Sequence, residues 1–289
     1  MTSPSSTEPV THTYAELIHQ NAILGCQSWS LWEQLTFHSH PELIWYHSPM
    51  RDILFNSVLH SDLTPDIFEK NLSIVSEHCR KQQCSLAWLI PNPALLSEFH
   101  RTLFNEHSFQ EKKGTTGMYL SLSNPKTTLL SAQKTSESDS TEDIWCVEND
   151  AALLEWSTTV IESYHFPKAL IEPWNSLHQA IGYGVNSPLE KNTAESRWEH
   201  YLLRSRGEIV ATGSLLCGPG KHHSSFANLA VKPECRGKGY GSHLVRFCLS
   251  QLKDYGYETV TLYASQDAYN LYSRLGFTTT FRNTFFVRE

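Results

Sequence analysis

The sequence predicts an α/β protein with a mixed sheet, in which one strand-and-helix plan is laid down twice. Three observations predict it. The first is the stretch from Ser225 to Leu252, where the apolar run Phe226 to Val231 stops at Lys232-Pro233. A loop with three glycines follows, and then Leu244, Val245, Cys248, Leu249 and Leu252 recur at helical spacing. The second is the β-rich run Glu258 to Ala264, followed by a short helical pattern from Ala268 to Leu275 that Gly276 ends. The third is an internal echo. Leu103-Phe104 and Ser108-Phe109 recur as Leu271-Tyr272 and Gly276-Phe277, 168 positions on. Upstream, Asn56-Ser57-Val58-Leu59 parallels Asn228-Leu229-Ala230-Val231.

Taken in order, residues 1–12 are polar and read as disordered. Tyr14 to Trp32 has helical spacing, and Leu43 to Tyr46 reads as a strand. Asn56 to Leu59 leads into Thr64-Pro65-Asp66, a helix start with proline just inside it, and that helix runs to about Lys81. Ser85 to Ile90 reads as a strand, Pro93 to Glu106 as a helix and Gly117 to Leu122 as a strand. Residues 123–142 are rich in Ser, Thr, Lys and Asp and read as a linker. Asp143 to Val147 reopens with a strand, and Leu153 to Tyr164 and Trp174 to Tyr183 are helical. Arg197 to Arg204 and Ile209 to Cys217 form a hairpin about Gly207, with Glu208 solvated at its tip. Asp267 is the expected cap of the last helix.

A strand, a glycine loop and a helix N-terminus together bind phosphate, because free N–H groups and the helix dipole point outward there. The loop Arg236-Gly237-Lys238-Gly239-Tyr240-Gly241-Ser242 is neither GxxxxGK[ST] nor GxGxxG. Its Arg-x-x-Gly-x-Gly pattern after a Val-x-Pro strand end resembles the pyrophosphate loop of the GNAT acyl-CoA-dependent N-acyltransferases. Tyr269 to Phe277 resembles the second signature of that superfamily, a Leu-Tyr-x-x-Leu-Gly-Phe helix, about 35 residues downstream.

The resemblance covers about residues 143–289 and implies a GNAT-like fold. With the echo it implies two tandem GNAT-like domains: a degenerate copy over 1–122, the linker 123–142 and a catalytic N-acetyltransferase domain over 143–289. It implies acetyl-CoA as cosubstrate. Arg236, Gly237, Lys238, Gly239, Tyr240, Gly241 and Ser242 would hold its pyrophosphate, and backbone groups of Leu229, Ala230 and Val231 its pantetheine arm. Ser265 stands where the family often has an asparagine for that arm. Tyr272 would be the general acid for the departing thiolate. The acceptor would be the primary amine of a small molecule or a protein. A non-catalytic acyl-CoA-binding module is the alternative.

The front copy lacks this chemistry. His60-Ser61-Asp62-Leu63-Thr64-Pro65 replaces the glycine loop and carries an acid, and Phe104 replaces Tyr272. The general base is open among His222, His223 and Glu199, since Asn228 is no base. Cys235 beside Arg236 reads as a loop filler.

Composition bounds the rest. Hydrophobic content of 40% and charged content of 18% describe a soluble globular chain, and a net charge of −7 argues against nucleic acid as a partner. Seven scattered cysteines, no signal-peptide pattern and no long apolar run point to a cytoplasmic protein without a membrane span. The 15 histidines show no ligand spacing, so no metal is expected.

Overall fold

The computed structural model describes residues 13–123, 142–184 and 196–289. The expected linker and the polar N-terminus lie outside the described residues, apart from residues 123 and 142 at the linker's two ends.

The first half begins with helix α1 (Tyr14–Ser28), capped by Thr13, whose side chain accepts from the Glu16 N–H while Glu16 returns a bond to the Thr13 N–H. Strands β1 (Thr36–His40), β2 (Leu43–His47) and β3 (Ser57–Ser61) follow, then α2 (Pro65–Gln82), β4 (Leu86–Ile90), α3 (Glu98–Glu106) and β5 (Gln110–Ser121). The second half runs β6 (Glu142–Cys146), α4 (Asp150–Ser163), α5 (Ile171–Ile181), β7 (Arg197–Ser205), β8 (Glu208–Cys217) and β9 (Ser224–Val231). It ends with α6 (Tyr240–Asp254), β10 (Thr259–Ala264), α7 (Gln266–Arg274) and β11 (Thr278–Arg288).

The strands form one 11-stranded mixed sheet in the order β1-β2-β3-β4-β11-β5-β10-β9-β8-β7-β6. The plan β3-α2-β4-α3-β5 recurs as β9-α6-β10-α7-β11, and β3–β4 and β9–β10 are the parallel pairs of the two halves. The echo is therefore a repeat of structure. Ser108 and Gly276 both take positive φ, at 65° and 91°, after equivalent helices. The upstream parallel does not hold. Asn56 precedes β3 and bonds backbone carbonyls of Met50 and Asp52, whereas Asn228 lies within β9.

The halves exchange their last strands. β11 pairs with β4 of the first half, β5 pairs with β10 of the second, and β5 and β11 pair with each other at the centre. The seam is tight. A Cβ at Gly114 would collide with Asn283, and Asn283 Oδ1 accepts from the Thr115 N–H.

The hydrophobic clusters cross the halves too, and one joins Trp29, Trp32, Tyr46 and Phe55 to Trp156, Trp174, Leu177 and Trp198. A second lies under α2 and α3 and includes Phe286 of β11, whose ring stacks on Phe104 at 3.8 Å. The third packs α6 and α7 against β7–β10 and takes in Met118 and Leu120 of β5. The two expected domains thus share one sheet and part of their core. Among the described residues no helix is long and apolar enough to cross a membrane.

Candidate active site

β9 and β10 meet where Thr261 lies opposite Ser225 and part beyond that point, so β9 keeps β8 as its ladder partner while its other edge opens. A bulge in β9 sits at the opening. The β8–β9 register shifts between Thr212 and Ser214, and Asn228 takes a φ of 52°. Leu229, Ala230 and Val231 line this edge.

Two of their carbonyls are already engaged. Tyr164 Oη donates to the Leu229 carbonyl (3.0 Å), and Arg236 Nε donates to the Val231 carbonyl (3.1 Å). Arg236 also donates to the Ser163 carbonyl at the end of α4 (2.9 Å). Arg236, expected from the sequence to hold phosphate, thus also fixes the loop between β9 and α4.

Gly237 and Gly239 take φ values of 78° and 91°, a backbone that favours glycine, and a Cβ at either would meet open space. Gly239 caps α6 without a side-chain bond, so the first turn of that helix presents its N–H groups outward. Lys238 is exposed at the same place. The loop thus offers bare N–H donors, a helix N-terminus and a Lys238 ammonium that pairs with no described residue, which suits a pyrophosphate. Tyr240 is tied back to β7 through Ser205 Oγ (3.0 Å), and Ser242 lies in the first turn.

Gly241 differs from its neighbours. It is buried, and a Cβ there would lie 3.2 Å from Leu271 and 3.4 Å from Val231. It is the close contact that lets α6 approach α7 and β9.

Gly239→Asp is the cleaner probe of the loop. It is expected to lower acetyl-CoA affinity at least 100-fold in calorimetry, by charge and by loss of the glycine backbone, while thermal unfolding shifts little. Gly241→Asp should lower the melting temperature as well.

Tyr272 comes to the same place from α7, beside the Leu271 that touches Gly241. It is 5% exposed, and Phe226 and Phe277 pack edge-on to its ring. Its hydroxyl makes no hydrogen bond with any described residue. Burial, with Tyr164 and the Cys248 thiol nearby, holds its phenol well above the usual tyrosine range, so it keeps its proton at neutral pH.

Ser265, and not Asp267, caps α7 by accepting from the Ala268 N–H (3.3 Å). Seven residues of helix put it about 10 Å from Tyr272 along the axis. Its hydroxyl proton is left for an outside acceptor.

The expected bases are occupied. Glu199 is fully buried, bound by Arg197 (2.6 Å), Tyr201 (2.6 Å) and Tyr255 (3.2 Å). His223 bonds Asn21 of α1 (2.9 Å), and exposed His222 pairs with Glu258 (3.6 Å). Cys235 packs against the second-half core.

The front copy is closed at each corresponding point. Trp88 Nε1 bonds Ser61 Oγ (3.0 Å), stitching β4 to β3 where the other pair opens. Asp62 Oδ1 accepts from the Thr64 N–H (2.7 Å), so a carboxylate fills the anion seat at the start of α2. Phe104 is sealed among Phe68, Trp88, Phe109 and Phe286.

Sequence reasoning missed a buried polar pair on the other sheet face. Asn228 Nδ2 donates to Ser214 Oγ (3.3 Å), which shares a bond with His200 Nδ1 (2.9 Å). His200 stacks on Trp156 at 4.0 Å and lies 4.6 Å from the His178 ring. The alternation of Trp198, His200 and Leu202 along β7 was the available signal. Burial pushes His200 down to about 3, and burial together with His200 pushes His178 well below the usual histidine range. A folded-state pKa below the unfolded one gives stability that is present above pH 6.5 and lost as pH falls from there. His200 alone should cost about 2–3 kcal/mol by pH 4.5, and urea midpoints across pH 7 to 4.5 should fall accordingly.

Comparison with known proteins agrees with this geometry. Residues 196–279 match the family described as the acetyltransferase (GNAT) domain. This stretch is similar to a GNAT domain. It spans β7 to the start of β11, with the bulge, the glycine loop and Tyr272 inside it. No significant match is found among curated proteins.

Solved structures share the fold over nearly the whole chain. A GCN5-related N-acetyltransferase from Kribbella flavida is 12% identical, with a TM-score of 0.62 over 93% of this chain and 95% of that one. One from Sphaerobacter thermophilus is 16% identical, with a TM-score of 0.58 over 96% and 94%. A tandem GNAT protein from the clavulanic acid biosynthesis pathway is 12% identical, with a TM-score of 0.56 over 96% and 94%. The GNAT-like, tandem character of the fold therefore extends across both halves.

Proposed function

We propose that the protein transfers the acetyl group of acetyl-CoA to a primary amine, using the second half as catalyst and the first as wall and scaffold. The observation that carries this reading is the convergence of three features at one opening: the parted edge of β9, the bare N–H groups of the glycine loop and the unbonded Tyr272 hydroxyl. In the front copy a hydrogen bond, a carboxylate and a phenylalanine close the same three places.

In this reading the N–H groups of Gly237 to Ser242 and the Lys238 ammonium hold the pyrophosphate. The free β9 edge at Leu229 to Val231 pairs with the pantetheine arm as an added strand would. An N–H of the bulged segment polarises the thioester carbonyl, as in an oxyanion hole. The amine attacks that carbonyl directly, and Tyr272 gives its proton to the departing thiolate. A phenol in a shaped site can protonate a thiolate, whose conjugate acid has a reference pKa near 8.5. With Glu199 and His223 held in structural bonds, the amine's proton leaves toward solvent.

Thiol release from acetyl-CoA over a panel of amines tests the reading. Amine-dependent release is the expected result, and tight acetyl-CoA binding without turnover on any amine would make the protein a binding module instead.

A further inference from the structure

The shared core between the halves holds an unusual concentration of unpaired polar atoms. Trp29 Nε1, Trp156 Nε1, Trp174 Nε1, His200 Nε2 and both ring nitrogens of His178 are buried and make no hydrogen bond with any described residue. Buried polar atoms without partners are rare, and each one calls for an explanation. These six lie on five rings that form one connected group. Trp29 lies edge-on to Trp174 (5.8 Å between centroids), Trp174 meets His178 (4.4 Å), and His178 meets both Trp156 (4.7 Å) and His200 (4.6 Å).

Most of these atoms are donors. The three indoles are donors only, a neutral His178 has one donor and one acceptor, and His200 Nε2 takes whichever role its bond to Ser214 Oγ leaves it. At least four donors therefore face at most two acceptors. The acids of the two covering helices, Asp150, Glu155 and Glu162 on α4 and Glu172 on α5, are all exposed, and Glu199 lies on the opposite face of the sheet. No carboxylate among the described residues answers these donors.

The group also has a direction. At one end His200, Ser214 and Asn228 lead to the β9 bulge, where the acyl group would lie. At the other, Trp29 is the member nearest the surface, at 9% exposure.

We propose that these rings seat the carboxylate of the acceptor, so that the acceptor is a small amino-carboxylate whose amine reaches the Asn228 bulge. The assignment of the amine rests on the acyl-transfer reading above, whereas the carboxylate seat does not. The neutral state of both histidines, enforced by burial, fits a seat built from hydrogen-bond donors and aromatic edges without formal charge.

Tryptophan emission of the full-length protein tests the proposal without acetyl-CoA. Glycine, β-alanine, 4-aminobutyrate and 5-aminovalerate are titrated beside methylamine, ethylamine, propylamine and butylamine. One of the amino-carboxylates should give a saturable change at least 10-fold tighter than the amine of matching length. His178→Phe should weaken it at least 10-fold while the melting temperature stays level or rises, because a ring of similar size replaces unpaired polar atoms. Trp174→Phe, which keeps an aromatic ring and removes one N–H, serves as the second variant and should weaken binding in the same direction. Equal binding by the plain amines, no saturable binding by any amino-carboxylate, or unchanged affinity in both variants would overturn the proposal. Acetyl-CoA calorimetry on the same samples reports separately on the acyl-transfer reading.

Discussion

Tyr272→Phe is expected to leave acetyl-CoA affinity within a few-fold of wild type and to reduce turnover by roughly 10²-fold or more, the usual scale for a positioned proton donor. The substitution keeps the ring that packs on Phe226 and Phe277 and removes a hydroxyl that bonds to no described residue. The fold should therefore hold. The high-pH limb of the rate profile should change too, because the group that must stay protonated is gone. The protein carries its own control, since Phe104 occupies the equivalent place in the front copy and is wholly buried. Wild-type turnover in Tyr272→Phe would make the tyrosine a core aromatic and leave thiolate protonation to water.

Residues 143–289 expressed alone are expected to aggregate or remain unfolded. β11 pairs only with β4 and β5 among the described residues, and both belong to the first half. β10 would lose β5 and become an open edge. The shared core would lose Trp29, Trp32, Leu35, Tyr46, Phe55 and Leu59. At about 1.5–3 kcal/mol for each buried side chain, this loss is of order 10 kcal/mol, comparable to the whole stability of a typical domain. Co-expression with residues 1–122 should restore soluble protein, because both exchanged strands are then supplied. A soluble 143–289 fragment with cooperative thermal unfolding would contradict the exchange.

What the sequence showed and what it hid follow from the physics of each signal. The glycine loop and the Tyr272 helix were legible because positive φ, helix starts and helix stops demand particular residues. β1, Thr36-Phe37-His38-Ser39-His40, was missed because it is a mostly exposed edge strand with no apolar alternation. The exchange of β5 and β11 could not be read at all. Strands close in sequence usually pair, which would have set β5 beside β4, and nothing in either strand's own pattern says which partner it takes. The further roles of Gly241 and Arg236, a close packing contact and a strut between the loop and α4, were hidden because the phosphate-binding motif alone accounts for both residues. His178 and His200 were lost among 15 histidines, since a buried neutral histidine and a solvated one look alike in sequence.

Calorimetric titration of acetyl-CoA into the full-length protein tests the central claim most directly. The expected result is one site per chain, abolished by Gly239→Asp and retained in Tyr272→Phe, because only the second half offers a glycine loop and an open strand edge. Two sites per chain, or undiminished binding in Gly239→Asp, would contradict it.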